Sequence, residues 1–197
     1  MDNPYADLEA LRAAARARDW GELQAALTRL LLQLDFYAGL EMAVQRVHAH
    51  LPVFERAHPE AVWARQLLVS LVAYGAAPHE LPPEASQPHA SPGAANFILA
   101  VFDLCRAVER RTPPDNRARF VVSAVANAIL ADLAAFWYSA HPHLWERQQT
   151  AGDQPDPDTG LTVRQQIYTQ FWLDEAVAAR DTAAWLAVAA HVAEKLR

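Results

Sequence analysis

The residues best suited to binding or catalysis lie in one short stretch, FWYSAHPHLW, at positions 136–145. Three consecutive aromatic residues, two histidines and a further tryptophan surround a single proline there. Consecutive residues on a helix point about 100° apart, so the three aromatic side chains cannot all enter one core. A second aromatic group follows near position 170. Together the two groups predict a groove lined by Trp137, Tyr138, His141, His143, Trp145, Tyr168 and Trp172.

Such a groove has two functional interpretations and one structural interpretation. Aromatic side chains with a polar tip are enriched at protein interfaces, which favours a partner helix or a second copy of the chain. The same side chains also line pockets for apolar ligands. In the structural interpretation, His141 ends one buried helix, Pro142 opens the next, and the aromatic residues seal the end of a bundle.

Polar residues interrupt the most apolar stretch of the chain, Phe120 to Tyr138. Asn127 and Asp132 are therefore the predicted buried polar residues, and Asp132 would need a charged partner. A buried carboxylate has a shifted pKa, which is typical of functional sites. Asp35 and Asp103 interrupt other apolar helices, and both are expected to face solvent.

Eight histidines raise the question of a metal site. Glu55 and His58 have the E-x-x-H spacing by which helical bundles place two metal ligands on one face, but the sequence has no second such pair. His48 and His50 would point roughly 200° apart on a helix and cannot share an ion. The acidic segment 153–160 lacks the glutamate that closes a calcium loop. The sequence therefore predicts no metal and no other cofactor.

Composition excludes several classes of partner and compartment. Cys105 is the sole cysteine, so an intrachain disulfide and a multi-cysteine metal site are excluded. A formal net charge of −6 argues against a nucleic-acid partner, because phosphate binding needs a basic surface. The N-terminus lacks the regions of a signal peptide, and Asp132 makes the most apolar stretch a poor membrane span. A cytoplasmic protein without a membrane partner is expected.

The elements that must position these residues are predicted to be helices alone. Alanine and leucine recur at helical spacing, glycines number only six, and no stretch alternates as a strand would. The prediction is an all-α fold without a sheet, a helical bundle or short array of antiparallel helical hairpins with about seven to eight helices. Residues 1–197 are expected to form a single domain with long loops at 78–92 and 150–160. A division into 1–77 and 93–197 is the alternative.

Capping signals predict where the N-terminal helices begin and end. Asp19 and Glu22 have the spacing of a capping box at the start of the second helix. That helix is expected to run on through Val47, with a kink near Gly39, and to end before Pro52.

Similar signals mark the later helices. Pro59 is expected to open the third helix. Thr162 and Gln165 have capping-box spacing for a helix that should reach Ala179. Asp181 is then expected to cap the last helix.

The function favoured by these observations is a non-enzymatic protein-binding or assembly module, which uses the aromatic groove and self-associates as a homodimer. The sequence contains no nucleophile elbow and no glycine-rich phosphate loop, which argues against catalysis. The alternative is an enzyme or small-ligand sensor with an internal bundle pocket that contains Asp132 and histidines.

Overall fold

The computed structural model describes residues 3–74, 82–87, 89–150 and 154–197. Within these residues the chain forms nine α-helices and one short 3-10 helix, Pro83–Ser86, with no strand. The α-helices are α1 (Pro4–Ala17), α2 (Trp20–Gln33), α3 (Phe36–Ala57), α4 (Trp63–Tyr74), α5 (Ala94–Val108), α6 (Pro114–Ala140), α7 (Pro142–Thr150), α8 (Val163–Leu173) and α9 (Glu175–Lys195). The all-α prediction is confirmed, and the helices exceed the predicted number.

Helix α6 is the central element of the fold. It is apolar on nearly all sides, as expected for a helix surrounded by others. It contacts α2, α3, α5, α7 and α9, and its longest interface is with α5. In the described part of the chain, α6 is the one helix long and apolar enough to cross a membrane, and 61% of its most apolar window is buried inside the fold.

The additional helix arises because the predicted second helix is divided at Asp35. The Asp35 side chain accepts hydrogen bonds from the backbone N–H groups of Tyr37 (3.0 Å) and Ala38 (3.3 Å) and so caps α3. An aspartate at this position stabilises a new helix start. The expected end before Pro52 is wrong, since Pro52 lies within α3. The buried side chain of Phe54, which follows it, anchors the last turn of α3 in the core.

Two other predicted helix boundaries are also wrong. Asp174 ends α8 and caps α9, because its side chain accepts hydrogen bonds from two backbone N–H groups in the first turn of α9. Asp181 therefore does not cap a helix but lies inside α9, where it is buried. Helix α4 begins at Trp63 rather than at Pro59.

The two predicted capping boxes differ in the structure. Thr162 and Gln165 form both reciprocal hydrogen bonds of a capping box, as predicted. Asp19 accepts a hydrogen bond from the Glu22 backbone N–H at 3.0 Å. The Glu22 side chain instead binds Arg29 at 2.7 Å, so only half of this box forms.

The predicted loops are described in part. The first, 78–92, contains the 3-10 helix, and its residues 78–81 and 88 lie outside the described residues. It ends where Gly93 enters α5 against the backbone of α6. A Cβ added at Gly93 would lie 2.3 Å from the carbonyl oxygen of Ala131, and the Gly93 φ is +82°. The close approach leaves no room for a Cβ, and the left-handed φ favours glycine. In the second loop, 150–160, residues 151–153 lie outside the described residues.

Candidate ligand-binding cleft

Two of the three aromatic residues at the end of α6 turn into the core, whereas Phe136 is 37% exposed. Trp137 is only 4% exposed and Tyr138 only 7%. The Trp137 ring packs edge-on against Phe171 of α8, and the Tyr138 ring packs against Trp145 of α7. The Tyr138 hydroxyl donates a hydrogen bond to the Gln148 side chain, and burial raises the pKa of Tyr138 to about 12. Most of this aromatic surface is therefore covered by the chain itself.

The two histidines of the same stretch lie at the edge of this cluster. The His141 ring stacks on the Trp137 indole at 4.5 Å between centroids. Its Nδ1 donates a hydrogen bond to the Trp137 carbonyl oxygen at 2.9 Å, which fixes the ring at the end of α6. His143 is exposed. His141 therefore ends α6, as in the structural interpretation of this stretch.

A cavity of about 280 Å³, which we call the corner cavity, lies between α3, α6, α7 and the start of α5. Tyr138, Trp145, His50 and Ser91 contribute to its lining. His50 is 4% exposed, and its Nδ1 finds no hydrogen-bond partner among the described residues. Burial lowers the pKa of His50, which favours the neutral imidazole. The corner cavity is smaller than most sites for drug-sized ligands, which occupy about 300–1,000 Å³.

A cavity of about 660 Å³ opens on the other side of the aromatic cluster. It lies between the α1–α2 turn, α6, α8 and α9, and we call it the Asp181 cleft. Its volume falls within the usual range for small-molecule sites, roughly 300–1,000 Å³. It is lined by Ala17, Arg18, Trp20, Leu130, Tyr168, Trp172 and Asp181.

Two of its walls are aromatic. Tyr168 and Trp172 are four residues apart on α8, so both side chains project from one face of that helix. A third ring comes from α2, where Trp20 is the first residue and rests edge-on against the fully buried Trp185 indole, 5.7 Å between centroids. Trp20 is 36% exposed and Tyr168 is 37% exposed. These rings offer apolar surface that the fold itself leaves uncovered.

Asp181 supplies a carboxylate to this apolar cleft. Asp181 is 4% exposed, and its Oδ1 is buried without a hydrogen-bond partner in the described ranges. Burial raises the pKa of Asp181. Two neighbours oppose that rise: Trp185, one turn further along α9, and Arg18. The Trp185 indole lies close enough to the carboxylate to lower its pKa through a polar N–H contact. That contact falls outside hydrogen-bond geometry, so the Trp185 Nε1, like Asp181 Oδ1, is buried without a hydrogen bond in the same ranges.

Arg18 lies at the edge of the cleft in a strained backbone conformation. It follows α1 with a φ of +57°, in the left-handed region, where glycine is usual at the end of a helix. Its Nη1 donates a long hydrogen bond, 3.5 Å, to the Trp172 carbonyl oxygen and so connects the end of α1 to the end of α8. No ion pair joins Arg18 to Asp181 in the part of the chain that the structure describes.

The predicted buried polar residue Asn127 belongs to a hydrogen-bonded network between α5 and α6. Its side chain accepts a hydrogen bond from Asn96 at 3.2 Å and donates to Ser123 at 3.3 Å. The Ser123 hydroxyl donates to the carboxylate of Asp103 at 2.6 Å. Asp103 is 5% exposed, so the expectation that it faces solvent is wrong. Arg106, three residues further along α5, also forms an ion pair with Asp103 at 3.5 Å, so partners on both helices satisfy this carboxylate.

Asp132 is partly exposed rather than buried. Both of its carboxylate oxygens accept hydrogen bonds from Arg180 of α9, at 2.8 and 3.0 Å, and 36% of its side chain is exposed. The Arg180 guanidinium also lies over the Phe136 ring, 4.8 Å from its centroid. Asp132 is therefore held in an ion pair at the edge of the α6–α9 interface and lines neither cavity.

The predicted groove residues are divided between the two cavities. Tyr138 and Trp145 line the corner cavity, whereas Tyr168 and Trp172 line the Asp181 cleft. Trp137 lies in the core between them. His141 and His143 line neither cavity. The two aromatic groups are in contact, but they do not form opposite walls of one groove.

Three polar or aromatic residues of the cleft, Arg18, Trp20 and Asp181, were not among the predicted site residues. A signal for Asp181 was present, because Val177, Asp181, Trp185, Val188 and Val192 form a stripe at helical spacing. The other members of that stripe are all buried. An aspartate within such a stripe is expected to point inward.

Comparison with known protein families, with curated proteins and with solved structures gave no match. No group of three or more potential metal ligands comes together in residues 3–74, 82–87, 89–150 and 154–197.

Proposed function

We propose that this protein binds a small organic molecule in the Asp181 cleft. The observation that carries the proposal is an open cavity of about 660 Å³ with partly exposed aromatic walls and one buried, unsatisfied carboxylate. An apolar pocket that contains few polar groups is the usual form of a small-molecule site.

The aromatic walls favour a ligand with a flat apolar body. Trp20, Tyr168 and Trp172 come from two sides of the cleft and leave room between them. Aromatic rings prefer offset-stacked or edge-to-face contacts, each worth about 0.5–1.5 kcal/mol beyond the area that is buried. A ligand of one or two rings would make such contacts on both sides.

Self-association through an aromatic groove remains a prediction with less support. Trp137 and Tyr138, its two central residues, use nearly all of their surface in the core of one chain. The small-ligand alternative has more support, although its carboxylate is Asp181 rather than Asp132. We propose binding alone and assign no catalytic residue.

The test measures the binding of a neutral aromatic probe, phenethyl alcohol, by ligand-observed NMR. The native protein should bind this fragment with a roughly millimolar Kd, as expected for its few heavy atoms. Trp172→Ala should weaken binding at least fivefold, because it removes one wall of the cleft.

The matched control is Trp145→Ala, which removes an indole that lines the corner cavity instead. This variant should bind the probe as the native protein does. Loss of binding in Trp145→Ala with retention in Trp172→Ala would move the site to the corner cavity and overturn the proposal. Circular dichroism of both variants verifies that they remain helical.

A further inference from the structure

We propose that the ligand of the Asp181 cleft carries a protonated amine, which binds the Asp181 carboxylate. This inference rests on the proposed function and names its ligand class. The chemistry that would recognise the cleft is that of an arylalkyl ammonium ion, with an aromatic body between the walls and a cationic nitrogen at Asp181.

The unsatisfied carboxylate is the first argument. Buried polar atoms in folded proteins almost always have hydrogen-bond partners. Asp103 follows that rule, because Ser123 and Asn127 donate to it. Asp181 is equally buried, yet Oδ1 has no partner in the described residues, and it lines the largest of the cavities described above. An ammonium group has three donors to offer such a carboxylate.

The surrounding aromatic rings are the second argument. Trp20, Tyr168 and Trp172 line the same cavity as the carboxylate. Aromatic faces attract cations, most strongly tryptophan, and the attraction increases when water is excluded. A carboxylate combined with aromatic walls therefore selects a cation over a neutral molecule of the same shape.

Arg18 raises the rival possibility of an anionic ligand, but its position argues against that. Its guanidinium already donates to the Trp172 carbonyl oxygen, and the residue is exposed, so water compensates its charge. The carboxylate of Asp181 is buried away from water, and Arg18 lowers its pKa without forming an ion pair with it. The nearby N-terminus of α2, a second positive feature, is capped by its own Asp19. The buried charge of the cleft is therefore negative, whereas its positive charge is exposed to solvent.

The experiment compares three probes with the same phenyl body by isothermal titration calorimetry near neutral pH. They are phenethylamine, which is cationic, phenethyl alcohol, which is neutral, and 3-phenylpropanoate, which is anionic. The native protein should bind the amine roughly tenfold or more tightly than the alcohol, as charge-assisted hydrogen bonds imply. The propanoate should bind most weakly.

Asp181→Asn keeps the shape of the side chain and removes its charge, so it should abolish the preference for the amine while the alcohol binds as before. Asp158→Asn removes the same charge from an exposed loop position and should leave the preference unchanged.

Arg18→Met should tighten amine binding severalfold, because it removes a like charge from the edge of the cleft. This variant keeps the test valid if Asp181→Asn folds poorly.

The contradicting outcomes are separable. Equal binding of amine and alcohol by the native protein would overturn the cationic ligand but leave the cleft as a binding site. Tightest binding of the propanoate, lost in Arg18→Met, would assign an anion instead. If none of the three probes binds, or if their binding does not depend on Trp172, the proposed function itself is overturned.

Discussion

Asp103 and Asp181 form a natural matched pair for testing whether the cleft carboxylate serves stability. Both lie within helices, and both are almost fully buried, at 5% and 4% exposed. Asp103 accepts hydrogen bonds from Ser123 at 2.6 Å and from Asn127 at 3.5 Å. Asp181 Oδ1 accepts none from the described residues and has only the polar contact with the nearby Trp185 indole. Replacing each by alanine should therefore change the free energy of unfolding in opposite directions.

The magnitudes follow from the contacts. Asp103→Ala removes the acceptor of a short hydrogen bond to a charged group, worth about 1.5–3 kcal/mol. The higher helix propensity of alanine stabilises the variant by about 0.5 kcal/mol, so the free energy of unfolding should fall by about 2 kcal/mol in total. Asp181→Ala loses only the polar contact with the Trp185 indole and removes a buried carboxylate oxygen without a hydrogen bond, which costs about 1–3 kcal/mol. A net gain of about 1 kcal/mol is expected after the loss of packing.

Urea unfolding followed by circular dichroism measures both variants against the native protein. The two variants should differ by about 3 kcal/mol, which corresponds to midpoints that are about 1–2 M urea apart. Equal destabilisation by the two substitutions would refute the reasoning. In that case Asp181 would contribute to stability as Asp103 does, and its missing hydrogen bond would need no ligand to explain it.

Three further predictions concern other positions. Gly93→Ala should destabilise the protein by more than about 3 kcal/mol in urea unfolding. The added Cβ would clash with the Ala131 carbonyl oxygen, and alanine would be strained at the left-handed φ of this position. A near-neutral effect would show that α5 and α6 separate easily. Arg18→Gly should raise the free energy of unfolding by about 1 kcal/mol, since glycine adopts φ +57° without strain, and a loss would contradict this. Burial lowers the pKa of His50, so on acidification the unfolded chain binds its proton first, and stability should fall as the pH drops below the ordinary histidine pKa of about 6.5. His50→Gln should reduce that fall, whereas a matching reduction by His48→Gln, at an exposed position, would contradict the assignment.

The all-α class was predictable because the helical spacing of alanine and leucine extends over most of the chain. Helix boundaries were less predictable, and the dipeptide Arg-Asp shows why. Arg18–Asp19 separates two helices, whereas Arg180–Asp181 lies in the middle of α9. The local capping signal is the same at both places. Asp174 caps the start of α9. The buried apolar residues on either side of Asp181 pack against the core and stabilise the helix through that position.

The candidate site was predictable only where its residues lie on one helix. Tyr168 and Trp172 are four residues apart, so their common face follows from the sequence. Arg18, Trp20 and Asp181 reach the cleft from the α1–α2 turn and α9, and no sequence spacing relates positions on separate helices. Burial of the conspicuous aromatic stretch before Pro142 also required the tertiary structure, since contact with Phe171 of α8 covers Trp137.

The most direct test of the proposed cationic ligand is a titration with phenethylamine observed in the indole N–H region of the ¹H–¹⁵N NMR spectrum. The chain has six tryptophans, so each cavity contains its own reporter. The signals of Trp20 and Trp172 should shift, with a smaller shift for Trp185 beneath them, while Trp137 and Trp145 stay unchanged. Shifts confined to Trp137 and Trp145, or no shift at millimolar amine, would contradict binding at the Asp181 cleft.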